Sequence, residues 1–363
     1  MTTNINDILT LSPFSLNKKE KGEMLKSNLI HLTKRHYEHC QPYADIINGL
    51  QIDIDSQDLD VVDIPFIPVR LFKMFELLSV NKDDVVKTMT SSGTSGQAVS
   101  KIFLDKVTAQ NQTKTLVNIV SSLLSKKRAP MIILDTDKIL KDRKLFSARG
   151  AGILGFSIFG SKRIYALDEN MNLKIDELKA FIEKYKDHRI LLFGFTFMIH
   201  QHFYKKMLEE NIHLNLKNGV LIHGGGWKKL VSESVSPKQF AQNLNEICGI
   251  SAVHDYYGMV EQTGSIFLEC NQGYLHASNF SDIIIRSAKD FSVANFGEKG
   301  IIQVLSILPE SYPGHSLLTE DEGIIFGEDN CKCGNHGKYF KILGRLKSAE
   351  IRGCSDTYSI KNN

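Results

Sequence analysis

A short loop of small and hydroxylated residues is the first segment in which chemistry can be expected. It consists of Ser91, Ser92, Gly93, Thr94, Ser95 and Gly96. Because no bulky side chain blocks this backbone, its N–H groups and hydroxyls could surround phosphate oxygens. The spacing differs from the G-x-x-x-x-G-K-[ST] pattern of P-loop enzymes, so a Walker-type site is not supported. Taken alone, the segment is equally compatible with a flexible loop.

Cysteine and histidine residues in two distant segments form a second group. Three thiols and one imidazole can hold Zn²⁺ in a closed tetrahedral site, which is structural rather than catalytic. We predict the ligands to be Cys270, His276, Cys331 and Cys333, with His336 as a substitute. The cysteines do not have the usual C-x-x-C spacing, so buried free thiols remain the alternative.

Apolar patterns indicate the elements that must position these residues. Apolar residues at helical spacing occur in residues 16–49, 108–124, 173–186 and 203–211. Short apolar runs typical of strands occur in residues 85–90, 130–134, 189–195 and 219–223. This alternation favours an α/β fold with a largely parallel sheet.

The pattern changes towards the end of the chain. Beyond residue 280, short apolar segments are separated by turns, which indicates a smaller β-rich subdomain. We therefore predict an α/β core with N-terminal helices in residues 1–280, the β-rich subdomain in residues 281–343 and a cysteine-bearing tail in residues 344–363.

Composition and charge exclude several classes of protein. The chain has 363 residues with 44 basic and 41 acidic side chains, a net charge of +3 and no long run of one sign. Nothing in this distribution indicates nucleic acid as a partner. With 42% hydrophobic and 23% charged residues, the composition is that of a globular protein rather than a disordered one.

Neither an export signal nor a membrane span is expected. The first 14 residues lack the basic region and unbroken apolar stretch of a secretory signal. The most apolar run, residues 190–199, is about half of the ~20 residues that a membrane helix requires. We expect a cytoplasmic protein, whose six cysteines are thiols, metal ligands or nucleophiles rather than disulfides.

Residues 150–155 satisfy the G-x-G-x-x-G pattern of dinucleotide-binding folds. That motif requires a strand directly before it, whereas residues 141–149 are polar and typical of a helix. We therefore do not expect a dinucleotide-binding fold.

Several segments, taken in order, resemble the nucleotide-binding motifs of adenylate-forming enzymes, the acyl-CoA synthetase superfamily. They are residues 90–96, 256–262, 319–321, and 344–345 together with 350–353. Within that superfamily the chain is most similar to the acyl-protein synthetases of bacterial bioluminescence operons. The phrases that carry this similarity include Gly225-Gly226-Trp227-Lys228-Lys229, Tyr257-Gly258-Met259-Val260-Glu261-Gln262 and Arg352-Gly353-Cys354-Ser355.

The resemblance covers roughly residues 60–357. It implies the large N-terminal α/β domain of the superfamily, with mostly parallel sheets, flanking helices and a smaller β-rich subdomain. The given chain ends ten residues after Gly353. We therefore expect it to lack the usual mobile C-terminal domain, with its catalytic lysine and much of the coenzyme A site.

The resemblance also implies a site for ATP and Mg²⁺. Its implied members are Ser91 to Gly96 on the phosphates, Gly225 and Gly226 against the adenine with Tyr257 and Gly258 beside it, Glu261 on Mg²⁺, Asp321 on the ribose hydroxyls, and Arg345 completing the nucleotide site. Three of these have ordinary structural alternatives. Tyr257 would otherwise be a core aromatic, Asp321 a solvated turn acid and Arg345 a surface ion pair.

The residue directly before the motif glutamate differs from the superfamily pattern. Most of the superfamily has threonine at this position, whereas this chain has Val260, as in the acyl-protein synthetases. A hydroxyl contact to the AMP phosphate must therefore come from elsewhere.

The aromatic residues Phe193, Phe195 and Phe197 could line an acyl tunnel, but aromatic residues on strands are more often ordinary core residues.

Cys354 is the residue that the resemblance implies as the acyl carrier. Its thiolate would attack the acyl-AMP carbonyl carbon to form a thioester and release AMP, and neighbouring Arg352 would favour the thiolate. An idle exposed thiol is the alternative.

We therefore expect Cys354, Glu261 and Arg345 to be the catalytic residues of an ATP-dependent acyl-protein synthetase. Its substrate would be a carboxylic acid, in the first instance a long-chain fatty acid. Its acceptor would be a partner protein such as an acyl reductase, with which it would form a hetero-oligomer. The alternatives are an acyl- or aryl-CoA ligase of phenylacetate-CoA ligase type and a non-catalytic nucleotide-binding scaffold.

Overall fold

A computed structural model describes residues 2–56, 59–91, 99–124, 127–141 and 148–346. The α-helices are Ile5–Ile8, Lys18–His39, Gln41–Gly49, Leu71–Met74, Lys106–Val120, Lys138–Lys141, Ala148–Phe156, Ile175–Lys184, Thr196–Met198, Lys205–Glu209 and Pro237–Cys248. A π-helix spans Ile199–Tyr204, and 3₁₀ turns span Val61–Asp63, Lys82–Asp84, Ser157–Phe159, Lys228–Glu233 and Val260–Gln262.

The strands are Ile67–Pro68, Val85–Thr90, Lys101–Asp105, Ala129–Thr136, Gly160–Leu167, Ile190–Phe195, Gly219–Gly224, Ala252–Tyr257, Phe267–Glu269, Leu275–His276, Ser281–Arg286, Lys299–Ser306, Ser316–Glu328 and Lys338–Arg345. This alternation of helices and strands confirms the α/β class. None of the helices in these ranges is both long and apolar enough to cross a bilayer.

The described residues form two compact units. The first unit holds the described residues up to 91, from 99 to 123 and from 258 to 346, and the second unit holds those from 124 to 257. The domain boundaries at residues 280 and 343 stay a prediction.

A parallel sheet forms the centre of the second unit. The strands lie in the order Ala252–Tyr257, Gly219–Gly224, Ile190–Phe195, Ala129–Thr136 and Gly160–Leu167, and each neighbouring pair is parallel. When the five strands are numbered along the chain from Ala129–Thr136, their order starting at Gly160–Leu167 is 2-1-3-4-5. The topological switch point of this arrangement lies between Ala129–Thr136 and Ile190–Phe195. The strand residues of Ile190–Phe195 are all buried, because helices cover both faces of such a sheet.

Antiparallel pairing dominates the first unit. Its main strands lie in the order Ser281–Arg286, Lys299–Ser306, Ser316–Glu328, Lys338–Arg345, Leu275–His276 and Phe267–Glu269. The short strand Ile67–Pro68 adds a parallel pair to Ser316–Glu328, and Val85–Thr90 forms a separate antiparallel hairpin with Lys101–Asp105. Antiparallel pairing of neighbouring strands therefore organises this unit.

The N-terminal helix Lys18–His39 shows why the predicted helices form. Asn17 caps it: its Oδ1 accepts hydrogen bonds from the backbone N–H groups of Lys19 and Glu20, at 3.0 and 3.1 Å. Glu20 accepts in return from the N–H of Asn17 at 3.2 Å, which completes a capping box. The apolar face buries Leu25 and Leu29 in a cluster with the sheet residues of the first unit.

The glycines of residues 150–155 lie inside the helix Ala148–Phe156 rather than at a turn between a strand and a helix. That location confirms the expectation that this G-x-G-x-x-G pattern is not a dinucleotide-binding motif.

Candidate functional site

Asp321 and Arg345 lie opposite each other on paired strands of the first unit. They are Cα partners where Ser316–Glu328 pairs with Lys338–Arg345, and Arg345 Nε is 3.6 Å from Asp321 Oδ1. The Asp321 side chain is 18% exposed, and its backbone N–H donates to the Thr319 hydroxyl at 3.2 Å. Asp321 is therefore a strand residue held beside a cation, not a residue of a free turn.

Glu320 extends this pair into a chain of charges. Its Oε1 accepts two hydrogen bonds from Arg70, at 2.8 Å from Nη2 and 3.2 Å from Nε. Its Oε2 lies 3.8 Å from Arg345 Nη2. Two guanidinium groups thus lie beside one largely buried carboxylate. Ion pairs of this kind hold guanidinium and carboxylate groups in defined orientations.

Glu261 is buried in the 3₁₀ turn Val260–Gln262, with 3% of its surface exposed. The Thr263 hydroxyl donates a hydrogen bond to the Val260 carbonyl at 3.0 Å, and this bond spans the turn that contains Glu261. Burial, and then the negative charge of Glu261, raise the pKa of the Tyr312 phenol well above its usual value. The acid predicted to bind Mg²⁺ therefore lies in a buried region of the first unit.

The glycines predicted to approach adenine follow a central strand of the second unit. Gly225 and Gly226 have φ angles of +80° and +63°, which favour glycine. A Cβ on Gly225 would lie 2.6 Å from Phe195 Cδ1, so this position also lacks space for a side chain. Tyr257 ends the strand Ala252–Tyr257 half-buried, and Gly258 is exposed.

The aromatic residues considered for an acyl tunnel pack against one another. The rings of Phe156 and Phe193 stack with centroids 4.2 Å apart, and Phe195 meets Phe193 edge-on at 6.0 Å. Phe193 is fully buried and Phe197 half-buried. This packing is that of core aromatic residues.

The four predicted zinc ligands come together in the first unit. The ligand atoms of Cys270, His276, Cys331 and Cys333 all lie within 4.8 Å of one another. Cys333 Sγ is 3.4 Å from His276 Nε2. His336, the predicted substitute, instead lies 3.6 Å from an oxygen of Asp329, and its side chain is 44% exposed.

Tight turns present the thiols of this cluster. Gly273 and Gly334, with φ angles of +73° and +85°, donate their N–H groups to the carbonyls of Cys270 and Cys331, both at 3.0 Å. The backbone N–H groups of Gln272 and Asn335 each point at a sulfur, at 3.4 Å from Cys270 Sγ and Cys333 Sγ respectively. Backbone N–H groups directed at sulfur favour a thiolate, which is the form that binds Zn²⁺.

Without a cation, burial raises the pKa of Cys270 and Cys333, which favours the neutral form of these two thiols. Burial, and then the neighbouring thiol groups, raise the pKa of Cys333 to about 12. Burial likewise lowers the pKa of His276 to about 4, so its imidazole is neutral and can coordinate a metal. The donor set therefore fits a closed site for Zn²⁺.

A buried ion pair in the second unit has no counterpart in the sequence analysis. Asp135 and Arg149 are 0% and 5% exposed, and Arg149 Nε is 3.1 Å from Asp135 Oδ2. Burial raises the pKa of Asp135 to about 6, although Arg149 opposes this shift. Asp135 lies at the carboxyl end of its strand, beside the switch point at which open α/β sheets bind ligands. Its position directly after a buried apolar run was the signal that could have identified it.

Two groups of predicted residues fall outside the described residues. These are Ser92, Gly93, Thr94, Ser95 and Gly96 of the phosphate loop, and the proposed acyl carrier Cys354. Ser91 is described: its Oγ accepts from the Ser100 backbone N–H at 2.9 Å, and its own N–H donates to the Ser100 carbonyl at 3.1 Å.

Comparison with known proteins reveals relatives over most of the chain. A family model described as "Acyl-protein synthetase, LuxE" matches residues 1–362. The chain is 22% identical over 379 aligned positions to a long-chain-fatty-acid–luciferin-component ligase of Vibrio harveyi, covering 100% of this chain and 96% of that protein. A protein of the same name from Aliivibrio fischeri is 23% identical over 342 positions, with 88% and 84% of the two chains covered.

Solved structures with a similar fold belong to adenylate-forming ligases. A 2-hydroxyisobutyryl-CoA ligase in complex with 2-HIB-AMP and CoA, in an open conformation, superimposes with a TM-score of 0.71 at 15% identity, covering 94% of this chain and 79% of that chain. The same enzyme in the thioesterification state gives a TM-score of 0.72 at 14% identity, with 94% and 71% covered. The predicted adenylate-forming fold is confirmed.

Proposed function

The chain belongs to the LuxE acyl-protein synthetase family, and from that premise we propose that it activates a long-chain fatty acid with ATP and passes the acyl group to a protein. The observation that carries this proposal is the family match over residues 1–362. The adenylate-forming fold and the fixed positions of Glu261, Asp321 and Arg345 support it. The curated relatives, whose name specifies a long-chain fatty acid, support the substrate class.

The first half-reaction in this proposal joins the acid to AMP. A carboxylate oxygen of the acid attacks the α-phosphorus of ATP, the bond to the β-phosphate oxygen breaks, and pyrophosphate leaves. Both reactants are anionic, so the protein must orient them and offset their charge.

Each implied residue has a role in that step. Glu261 would hold Mg²⁺, whose charge offsets that of the phosphates. Asp321 would accept hydrogen bonds from the ribose hydroxyls, and Arg345, which lies 3.6 Å from it, would orient that carboxylate and complete the nucleotide site. Ser91 to Gly96 would bind the phosphates, and Gly225, Gly226, Tyr257 and Gly258 would face the adenine.

The second half-reaction transfers the acyl group to sulfur. The Cys354 thiolate attacks the acyl carbonyl carbon, a C–S bond forms, the bond to the AMP phosphate oxygen breaks, and AMP leaves with its negative charge. A partner protein such as an acyl reductase would then take the acyl group from this thioester. The proposal includes a hetero-oligomer with that partner and a location in the cytoplasm.

Incubation with labelled fatty acid, ATP, Mg²⁺ and coenzyme A tests this function. We expect acid-dependent ATP–pyrophosphate exchange and, after denaturation, a hydroxylamine-labile label on the protein. A label on free coenzyme A would instead identify the CoA ligase alternative. Absence of exchange with fatty and aromatic acids alike would favour the nucleotide-binding scaffold.

We also propose that Cys270, His276, Cys331 and Cys333 bind one structural Zn²⁺. The observation that supports this site is the separation of at most 4.8 Å among their ligand atoms. When bound, Zn²⁺ would join the loop before Lys338–Arg345 to the strand Leu275–His276. The strands Lys338–Arg345 and Leu275–His276 are already paired through their backbones.

Metal analysis of protein purified without added zinc tests this site. We expect about one zinc per chain, and its loss together with a fall of several degrees in melting temperature in Cys331→Ser, because structural zinc contributes folding free energy. Cys248→Ala is the matched control, since Cys248 is also buried but lies outside the cluster. A stoichiometry near zero in the wild type would rule the site out.

A further inference from the structure

Gln262, directly after the proposed Mg²⁺ ligand, uses its amide to bind two carbonyl groups. The residue is 2% exposed. Its Nε2 donates to the Gly314 carbonyl at 2.8 Å and to the Val304 carbonyl at 3.2 Å. Oε1 makes no hydrogen bond among the described residues, and two carbonyl oxygens can face only the NH₂ group. The contacts therefore fix the orientation of the amide.

The two acceptors connect the Glu261 turn to the strand Lys299–Ser306 and to the segment that leads into Ser316–Glu328. Val304 lies in Lys299–Ser306 and pairs with Leu317 of Ser316–Glu328. Gly314 lies two residues before that second strand, which also carries Asp321. One side chain thus links the turn that holds Glu261 to a strand and a segment that both adjoin the strand of Asp321.

Close backbone packing surrounds the same turn. A Cβ on Gly314 would lie 2.7 Å from the Glu261 carbonyl oxygen. On the other side, a Cβ on Gly264, whose φ is +91°, would lie 2.6 Å from the Gln112 carbonyl oxygen in the helix Lys106–Val120. The turn is therefore packed closely against neighbouring backbone, and the amide of Gln262 adds two hydrogen bonds to this packing.

We propose that Gln262 is a positioning residue, which sets Glu261 relative to Asp321 for binding Mg²⁺ and ATP. This inference rests on the proposed function, in which Glu261 binds Mg²⁺. Glutamine suits the position because its uncharged amide supplies two N–H donors. The side chains of ionised glutamate and of methionine supply no hydrogen-bond donor. Loss of the two bonds leaves two buried carbonyls without this partner and frees the turn to move.

The variant Gln262→Met keeps the length of the side chain and removes both donors. ATP–pyrophosphate exchange is measured at saturating fatty acid while the Mg²⁺ concentration is varied. We expect the half-saturating Mg²⁺ concentration to rise about tenfold, with the KM for fatty acid changed less than about twofold, because the hydrogen bonds position the metal ligand. A purely structural role would lower the melting temperature without this selective change.

Gln303→Met is the matched control. Gln303 is 0% exposed, accepts from Arg286 at 2.7 Å and donates to Ser316 at 3.0 Å, so it also joins elements of the first unit. We expect this variant to lose stability with an unchanged Mg²⁺ requirement. Should Gln262→Met fail to fold, Gln262→Asn keeps two donors on a shorter side chain, and a rise of about threefold or more is expected for it.

An unchanged half-saturating Mg²⁺ concentration in a folded Gln262 variant, or an equal rise in Gln303→Met, would overturn the positioning role. Wild-type protein without any acid-dependent exchange would instead contradict the proposed function itself. The two failures are therefore distinguishable.

Discussion

Two arginines surround Glu320 beside the proposed nucleotide residues. Arg70 binds one carboxylate oxygen of Glu320, and Arg345 approaches the other while also lying beside Asp321. Because Glu320 is largely buried, both guanidinium groups are held more firmly than in an exposed pair. Asp321 therefore meets a ligand with its orientation already set.

Asp321→Asn is expected to raise the KM for ATP roughly 10- to 100-fold, which corresponds to the loss of about 1.5–3 kcal/mol of hydrogen bonding to a charged group. The KM for fatty acid should change little. ATP–pyrophosphate exchange at varied ATP measures the effect, and Asp290→Asn, a change of another acid in the same unit, is the control. Equal KM values for ATP in both variants would show that Asp321 does not bind the nucleotide.

The cluster of three cysteines and one histidine could be predicted from the sequence, whereas the hydrogen-bond and ion-pair partners of Glu320 and Gln262 could not. Cys270, His276, Cys331 and Cys333 belong to residue types that are rare and chemically distinctive, so two short segments sufficed. Glu320 and Gln262 are common residue types whose role depends on carbonyls and cations far along the chain. Those contacts are set by strand pairing, which local sequence does not encode.

Buried histidines connect elements of the first unit. The rings of His36, in Lys18–His39, and His315, before Ser316–Glu328, have centroids 5.0 Å apart, and both side chains are 0% exposed. His36 is hydrogen-bonded to Ser79 at 2.8 Å and to the Pro309 carbonyl at 3.0 Å, and His315 to Thr33 at 3.0 Å. These contacts hold the N-terminal helix against the segment that leads into the Asp321 strand.

The unfolding free energy is expected to fall as the pH is lowered from 6.5 towards 4. Burial lowers the pKa of His315 to about 3, and burial followed by the charge of His315 lowers that of His36 well below its usual value. In this window the unfolded chain takes up protons that the folded protein does not, so stability is lost at ~1 kcal/mol per pH unit for each such histidine.

Denaturant unfolding at several pH values measures this slope. His315→Gln should decrease the slope of unfolding free energy against pH by the contribution of one histidine. His36 and the buried His223 should still contribute to the slope. The charges of Arg35 and His31 lower the pKa of His36 by smaller amounts, whereas the hydrogen bond to the Pro309 carbonyl raises it. A slope in the variant equal to that of the wild type would show that His315 does not remain neutral.

Elements with continuous apolar runs were predictable, and those with mixed sequences were not. The strands Ala129–Thr136 and Ile190–Phe195 lie where their apolar runs indicate. Ala252–Tyr257 is half-buried throughout and mixes polar with aromatic residues, so it lacked both the strand period and a continuous run. The segment predicted as a helix from residue 203 is an α-helix only over Lys205–Glu209, because a π-helix, Ile199–Tyr204, precedes it.

Across the molecule, the direction of strand pairing differs between the two units. The parallel sheet expected for the core is found in the second unit, whereas the first unit is antiparallel apart from Ile67–Pro68. Apolar runs alone cannot distinguish these cases, because the direction depends on which distant segment becomes the neighbour. The family resemblance implied mostly parallel sheets with a smaller β-rich subdomain and did not specify the antiparallel pairing of the first unit. The match over residues 1–362 confirmed the family.

The proposed acyl transfer to Cys354 distinguishes an acyl-protein synthetase from a CoA ligase. The most direct measurement compares wild type and Cys354→Ala after incubation with labelled fatty acid, ATP and Mg²⁺, by protein-bound label and by ATP–pyrophosphate exchange. We predict that the variant retains exchange near the wild-type rate and carries no hydroxylamine-labile label, because the thiol acts only after acyl-AMP has formed. Label retained on the variant, or exchange abolished with the fold intact, would show that Cys354 is not the acyl carrier that acts after adenylation.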